Sequence, residues 1–161
     1  MEYWDIYDIN RVKTGKLHRR GDKLGQGEYH LIVNVWIKNS NDEYLIQQRQ
    51  DNIHMGGKWT CAVGGSAVSG EDSRQAIIRE LKEEIGLEVS ENEIKHIYTN
   101  NHHEGFNDIY FLEKDIDVET LVLQEEEVKD VRWVSKNELL EMISTHEFIN
   151  RDYFTELFRL I

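Results

Sequence analysis

The segment GGSAVSGEDSRQAIIRELKEEIGLEV, residues 64–89, constrains the fold of this chain more tightly than any other stretch. Two adjacent glycines permit a tight turn out of a strand. Residues 72–86 then follow a helical period, and Gly86 is placed to stop the helix with a left-handed cap. At 100° per residue, Ile77, Ile78, Leu81 and Ile85 share one arc, which must be buried against another layer. Glu80, Glu83 and Glu84 fall within about 100° on the adjoining arc. Arg79 stands four residues before Glu83 and can pair with it, yet one guanidinium does not neutralise three carboxylates.

Such crowding has two readings. A solvated acidic face is the plain one. The other is a cradle for a hard divalent cation, because Mg²⁺ takes oxygen ligands from a few carboxylates and completes its shell with substrate phosphates.

The flanking sequence supplies a sheet for the helix to cover. YWDIYDI alternates apolar residues with acids ahead of the turn-rich NRVKTGK, so residues 1–29 read as an N-terminal hairpin and extension. YHLIVNVWIKNSNDEYLIQQR reads as two strands around a polar turn at Asn39–Asp42, the second ending at Arg49. DNIHMGGKW is a loop and TCAVGG a short strand. Further strands are expected at 94–99 and 108–114, separated by a loop NNHHEGFN. EEEVKDVRWV is an acidic loop entering a strand. Ser135 with Glu138 forms a capping box for a helix over NELLEMISTHEF, and RDYFTELFRLI forms a second short helix. Interleaved strands and helices of these lengths indicate an α/β or α+β sandwich around a mixed sheet, a single domain over residues 1–161.

A formal charge of −12 argues against binding a nucleic acid polymer, which requires a basic surface. It still permits a small phosphorylated ligand, since a bound cation inverts the local field. No apolar run approaches the roughly 20 residues of a membrane span, and the start lacks a basic segment before an apolar core, so no signal peptide is expected. The single cysteine, Cys61, excludes an internal disulfide and a cysteine-based zinc site. A cytoplasmic protein without membrane association is the expectation, with a homodimer compatible with it.

Gly65, Glu71, Arg79, Glu80, Leu81, Glu83, Glu84, Gly86 and Leu87 match every fixed position of the Nudix box, G-x5-E-x7-R-E-U-x-E-E-x-G-U, where U is aliphatic. By residue frequencies a chance match is on the order of 10⁻⁶, so over residues 65–87 the chain resembles a Nudix hydrolase. The resemblance implies the family's α/β/α sandwich and Mg²⁺-dependent cleavage of a nucleoside diphosphate derivative or other organic diphosphate, with Mn²⁺ as a substitute. It assigns Glu80, Glu83, Glu84 and the carbonyl of Gly64 to the metal. Glu71 becomes a partner of Arg79 that braces the loop, and Gly65 and Gly86 are structural. The base that activates water is a box glutamate (Glu80 or Glu84) or an acid of the later triplet Glu125–Glu127, with Glu126 the leading choice. Arg49 and Lys58, flanking the loop that opens toward the box, are the candidate diphosphate contacts.

Two rivals remain. YHLIVNVWI and GGKWTCAVGG are similar to the isopentenyl diphosphate isomerase branch. In that branch's W-T-N-x-x-C-x-H-P pattern, however, the catalytic cysteine falls at Gly64 and a metal histidine at Ser66. Cys61 occupies the asparagine position and reads as a buried strand residue. His30 aligns with another isomerase metal histidine whose partner position here is Lys23, so packing or a substrate contact leads. Asp108 matches a metal glutamate only in type. His102 and His103, adjacent and before Glu104, read as a solvated loop with side chains pointing apart, and Trp59 and Phe106 as core. The second rival is a non-catalytic module that senses a nucleotide, against which the intact box argues.

Overall fold

A computed structural model describes all residues, 1–161. In chain order its strands are β1 (Tyr3–Tyr7), β2 (Lys13–Arg19), β3 (His30–Lys38), β4 (Glu43–Arg49), β5 (Trp59–Cys61) and β6 (Val63–Ser66). Helix α1 (Ser73–Ile85) follows, then β7 (Lys95–His102), β8 (Gly105–Glu113) and β9 (Val128–Ser135), and finally α2 (Lys136–Ser144) and α3 (Phe154–Leu160). None of these helices is long and apolar enough to cross a membrane.

β3 organises the sheet. It runs parallel to β8 in unbroken register from His30↔Gly105 to Lys38↔Glu113, and β7 pairs antiparallel with β8 on the far side. On its other edge β3 meets β4 only at Lys38↔Tyr44, then pairs antiparallel with β6 from Val35↔Val63 to Ile32↔Ser66. β4 continues away with β9 on one edge and β5 on the other. The two central strands therefore diverge, and residues 59–66 fill the fork between them.

Alternation along β3 builds both layers. Leu31, Val33, Val35 and Ile37 join the core beneath α1, with Ala76, Ile77, Leu81 and Ile85 of the helix fully buried against them. Trp36 faces the opposite layer, where Cys61, Ile109, Leu139, Met142, Phe148 and Phe154 pack under α2 and α3. The result is an α/β/α sandwich around a mixed sheet: the sequence pattern indicates the mixed sheet, and the resemblance over residues 65–87 implies the three layers.

Local chemistry sets the ends of α1. Asp72 caps it reciprocally: its carboxylate accepts from the Gln75 amide at 2.8 Å, and the Gln75 side chain accepts from the Asp72 amide at 3.0 Å. Gly86 closes the helix at φ 68°, a conformation disfavoured for side-chain-bearing residues.

Three expectations need correction. NNHHEGFN is mostly strand: β7 and β8 extend to His102 and Gly105, leaving a tight turn at His103–Glu104. The cap of α2 is one-sided, because Ser135 Oγ accepts from the Glu138 amide while the Glu138 carboxylate goes to Arg132 at 2.7 Å. That helix also ends at Ser144, and Phe148 instead bridges to Trp59.

Candidate active site

The site forms where α1 crosses the fork. The Glu80 carboxylate lies so close over Gly65 that a Cβ there would collide with it. Gly65 thus lets a helix side chain reach the sheet, a close approach only glycine allows. Arg79 braces the intervening loop: its Nε donates to Glu71 at 2.7 Å, and its Nη2 donates to Ser66 O and to Glu71 at 3.1 Å each. Glu71 in turn accepts from the Val68 amide. Arg79 also reaches Glu80 at 3.1 Å and Glu83 at 3.0 Å.

The three box glutamates sit in different surroundings. Glu83 is half exposed, Glu80 mostly buried, and Glu84 only 5% exposed. Burial pushes the Glu84 carboxyl up to about 8, and the charges of Glu80 and Glu127 reinforce the shift against a hydrogen bond from Gln47 and the charge of Arg49. The Gln47 amide donates to Glu84 at 2.7 Å and to Ala62 O at 2.8 Å, tying the carboxylate to the fork. Glu80 is pushed up to about 7 by burial, with Arg79 opposing and Glu83 and Glu127 adding to it. Arg79 answers part of the charge of Glu80 and Glu83 but no ion pair reaches Glu84, and such mutually repelling oxygen donors fit a hard divalent ion. The Glu80 seat over Gly65 holds this donor set in place. Glu80, Glu83 and Glu84, with the adjacent Gly64 carbonyl, are the residues that could hold one.

Beside these acids opens a cleft of about 520 Å³ whose lining includes Glu84, Gly64, Gly65, Arg49 and Glu127. Glu127 is brought there by backbone pairing: the Val122 and Gln124 amides donate to Ile85 O and Glu84 O at 3.1 and 2.9 Å, fastening the loop before β9 to the end of α1. The expected base, Glu126, is not. With Glu125 it lines a separate depression beside Gln50, Asp51 and Asn52. The triplet is a hydrogen-bonded turn, the Glu127 and Val128 amides donating to Gln124 O at 3.0 and 2.8 Å, and it leaves Glu127 on the cleft with Glu125 and Glu126 outside. Lys58 also lies elsewhere, donating to His146 O at 2.5 Å. Arg49 borders the cleft, its Nε donating to His54 O at 2.8 Å. The sequence reading missed two further cleft cations, Arg20 from beyond β2 and Arg151 from before α3. Neither has a local motif; only the chain's three-dimensional path brings them in.

The remaining candidates are accounted for structurally. Cys61 is buried and its thiol is pushed up to about 12 by burial. His30 stacks on Trp4 at 4.0 Å with rings nearly parallel, and burial lowers it to about 4, so it is neutral near pH 7. Asp108 is held by Arg11 through two hydrogen bonds, 2.8 and 2.5 Å, and by Thr99 at 2.7 Å, which answers its charge without a metal. Phe106 is buried, as expected, whereas Trp59 is only partly buried beneath Arg132, 5.0 Å from its ring centre. His102 and His103 do not point apart: their rings lie 4.2 Å from each other at the exposed β7–β8 turn.

Comparison with known proteins agrees with this geometry. Residues 28–157 match the NUDIX domain family. An uncharacterized Nudix hydrolase of Listeria monocytogenes is 42% identical over 161 residues, covering 99% of this chain and 95% of that protein. An isopentenyl-diphosphate Delta-isomerase of Escherichia coli is 24% identical over 150 residues, covering 88% of this chain and 81% of the isomerase. Among solved structures, DR0079 from Deinococcus radiodurans superposes with a TM-score of 0.80 at 21% identity, covering 99% of both chains, a likeness of fold.

Proposed function

From the premise that the chain belongs to the NUDIX family, whose hydrolases cleave diphosphate bonds and generally use divalent metal ions, we propose a Mg²⁺-dependent hydrolase of a nucleoside diphosphate derivative or related polar organic diphosphate. The observation that carries this reading is the convergence of Glu84 and Glu127 on one cleft that also holds Arg49, with Glu80 near enough for its charge to raise Glu84. Glu80, Glu83, Glu84 and the Gly64 carbonyl would hold the ion. When bound, Mg²⁺ would polarise the phosphoryl oxygens and stabilise the leaving phosphate.

The residues of the chain do the rest. Arg49 binds the diphosphate and draws charge off its non-bridging oxygens. Glu127, inside the cleft yet apart from the acidic helix, accepts a proton from the attacking water as its oxygen bonds to phosphorus and the bridging P–O bond breaks. Gln47 holds Glu84 in place. The mostly polar lining, which includes Asn34, Asn100 and Asn107, favours a hydrophilic organic group over a prenyl chain, and so favours hydrolysis over the isomerase alternative. An acidic chain that takes a small diphosphate has no need of a nucleic acid polymer, and a cytoplasmic setting is part of this reading.

A panel of nucleoside diphosphate derivatives, dinucleotides, coenzyme A species and prenyl diphosphates, assayed with Mg²⁺, Mn²⁺ and EDTA, tests it. Cleavage should require the metal. Glu127→Gln should lower kcat by roughly 10²–10⁴-fold, while Glu126→Gln stays near wild type. Metal-independent turnover, or the reverse ranking of the two variants, would refute the assignment.

A further inference from the structure

The family match begins at residue 28, which leaves the β1–β2 hairpin outside it. The hairpin is nevertheless built into the molecule. Ile6 and Tyr7 are buried, 1% and 7% exposed, and Tyr7 joins the core beneath α1. The backbones of Tyr7 and Tyr29 exchange hydrogen bonds of 2.8 and 3.0 Å. Trp4 stacks on His30, and its other neighbour is His18 at 5.8 Å.

The hairpin also grips the loop that leads into the acidic helix. The Ser69 amide donates to Tyr3 O at 2.8 Å, and the Asp5 carboxylate accepts from Ser69 Oγ and the Gly70 amide at 2.9 Å each. At the turn end, Arg11 is locked to Asp108. The strand pair is thus fixed at the core, at the loop before α1 and at its turn, leaving little freedom for the residue that follows β2.

That residue is Arg20. Its amide donates to Glu2 O at 3.0 Å and its guanidinium to the Glu2 carboxylate at 2.7 Å. Its side chain lines the cleft, on the same cavity as Glu84 and Glu127, and the charges of Glu127 and Glu80 reach it. Glu2 leaves part of the guanidinium's five-donor fork unused. A planar cation on the lining of that cleft, half exposed and partnered only by Glu2, is suited to bidentate contact with phosphate oxygens.

We propose that the N-terminal hairpin holds Arg20 at the edge of the substrate cleft and that Arg20 is a substrate-anion contact, a binding residue lying outside the residues that match the family. The inference rests on the diphosphate reading above. It separates two jobs: the helix α1 glutamates serve the reaction, and the hairpin cation serves affinity and the choice among diphosphates. Arg20 therefore acts on the bound state more than on the chemical step.

The test uses the full chain and two readouts. One is KM and kcat on the substrate found in the panel. The other is the affinity for imidodiphosphate, a diphosphate that is not cleaved at the bridging position, measured by calorimetry with Mg²⁺. Arg20→Ala should raise KM and weaken imidodiphosphate binding by roughly 10–100-fold, the loss of a charge-assisted contact, with kcat within a few-fold of wild type. Arg20→Lys should recover part of the affinity, and Arg19→Ala, one residue away on an exposed position, should match wild type in both. Circular dichroism and melting of Arg20→Ala establish that the fold is kept; if it is lost, Arg20→Lys and Arg20→Gln carry the comparison. Wild-type affinity and KM in Arg20→Ala would overturn the hairpin inference, as would no imidodiphosphate binding by wild type. Metal-independent turnover would instead overturn the underlying reading, so the two failures are distinct.

Discussion

Asp108 and Glu84 are both carboxylates with almost no exposure, 2% and 5%, and they stand on elements that flank the same central strand. Their surroundings are opposite. Burial alone would raise Asp108, but hydrogen bonds from Arg11 and Thr99 outweigh it and hold the carboxyl below its ordinary range. Glu84 receives one neutral amide from Gln47 and sits near two further acids, so burial prevails and its carboxyl rises. A buried charge answered by the chain itself is part of the scaffold. One left to be answered from outside marks a site, since a folded chain does not keep such repulsion without a use for it.

The contrast should appear first in turnover. Glu84→Gln removes an oxygen donor and should lower kcat at least about 10²-fold, whereas Asp108→Asn should leave kcat of the folded protein within about twofold. Similar losses in both would end the distinction between them.

Stability should show it next, with the emphasis reversed. Arg11→Ala leaves Asp108 buried without its cation and should cost about 2–3 kcal/mol in urea unfolding at pH 7. That is less than a fully buried pair would lose, because Arg11 is itself partly exposed. A change below about 0.5 kcal/mol would show the ion pair to be incidental.

The smallest effect is in pH dependence, where the two acids should differ in sign. Glu84 is raised from 4.5 to about 8. In metal-free protein its cost is full above pH 8. Stability returns as pH falls from 8 toward 4.5, where the folded form takes up a proton that the unfolded chain does not. Glu84→Gln should therefore melt roughly 5 °C above wild type at pH 8 in EDTA, with the gap closing by pH 4.5. Asp108, held low, contributes stability that is present above its unfolded value near 3.8 and is lost as pH falls through its folded value. A gap for Glu84→Gln that grows toward acid would contradict the assigned direction.

What could be read from the sequence was local in origin. The period of residues 72–86, the stop at Gly86 and the Arg79–Glu71 brace all depend on residues within a few turns of one another, and the structure realises each. The strand alternation of residues 30–38 likewise sorts its side chains into two layers. What could not be read was set by distant pairing. Glu127 enters the cleft because Val122 and Gln124 bond to the end of α1, and nothing in the triplet Glu125–Glu127 says which member turns inward. Lys58 leaves because the chain near His146 offers it a carbonyl. Arg20 and Arg151 arrive from opposite ends of the chain. The polar run NNHHEGFN resembled a loop because strand formation there depends on the neighbouring β3 ladder more than on the run's own residues.

Cys61 has a consequence of its own. It is the chain's single thiol, it packs among Trp36, Ile109 and Phe148 in the layer under α2 and α3, and burial keeps it protonated far above neutral pH. A reagent that captures thiolates meets it only when that layer opens. Its labelling rate is therefore a clock for excursions away from the native state, readable on unmodified protein. Since a ligand bound only by the native form lowers the open population by the factor 1 + [L]/Kd, the same clock slows as the acidic helix fills. Occupancy of the site is thereby reported by a buried thiol whose Sγ lies 3.4 Å from Asn34 Oδ1 on the cleft lining, with no turnover required.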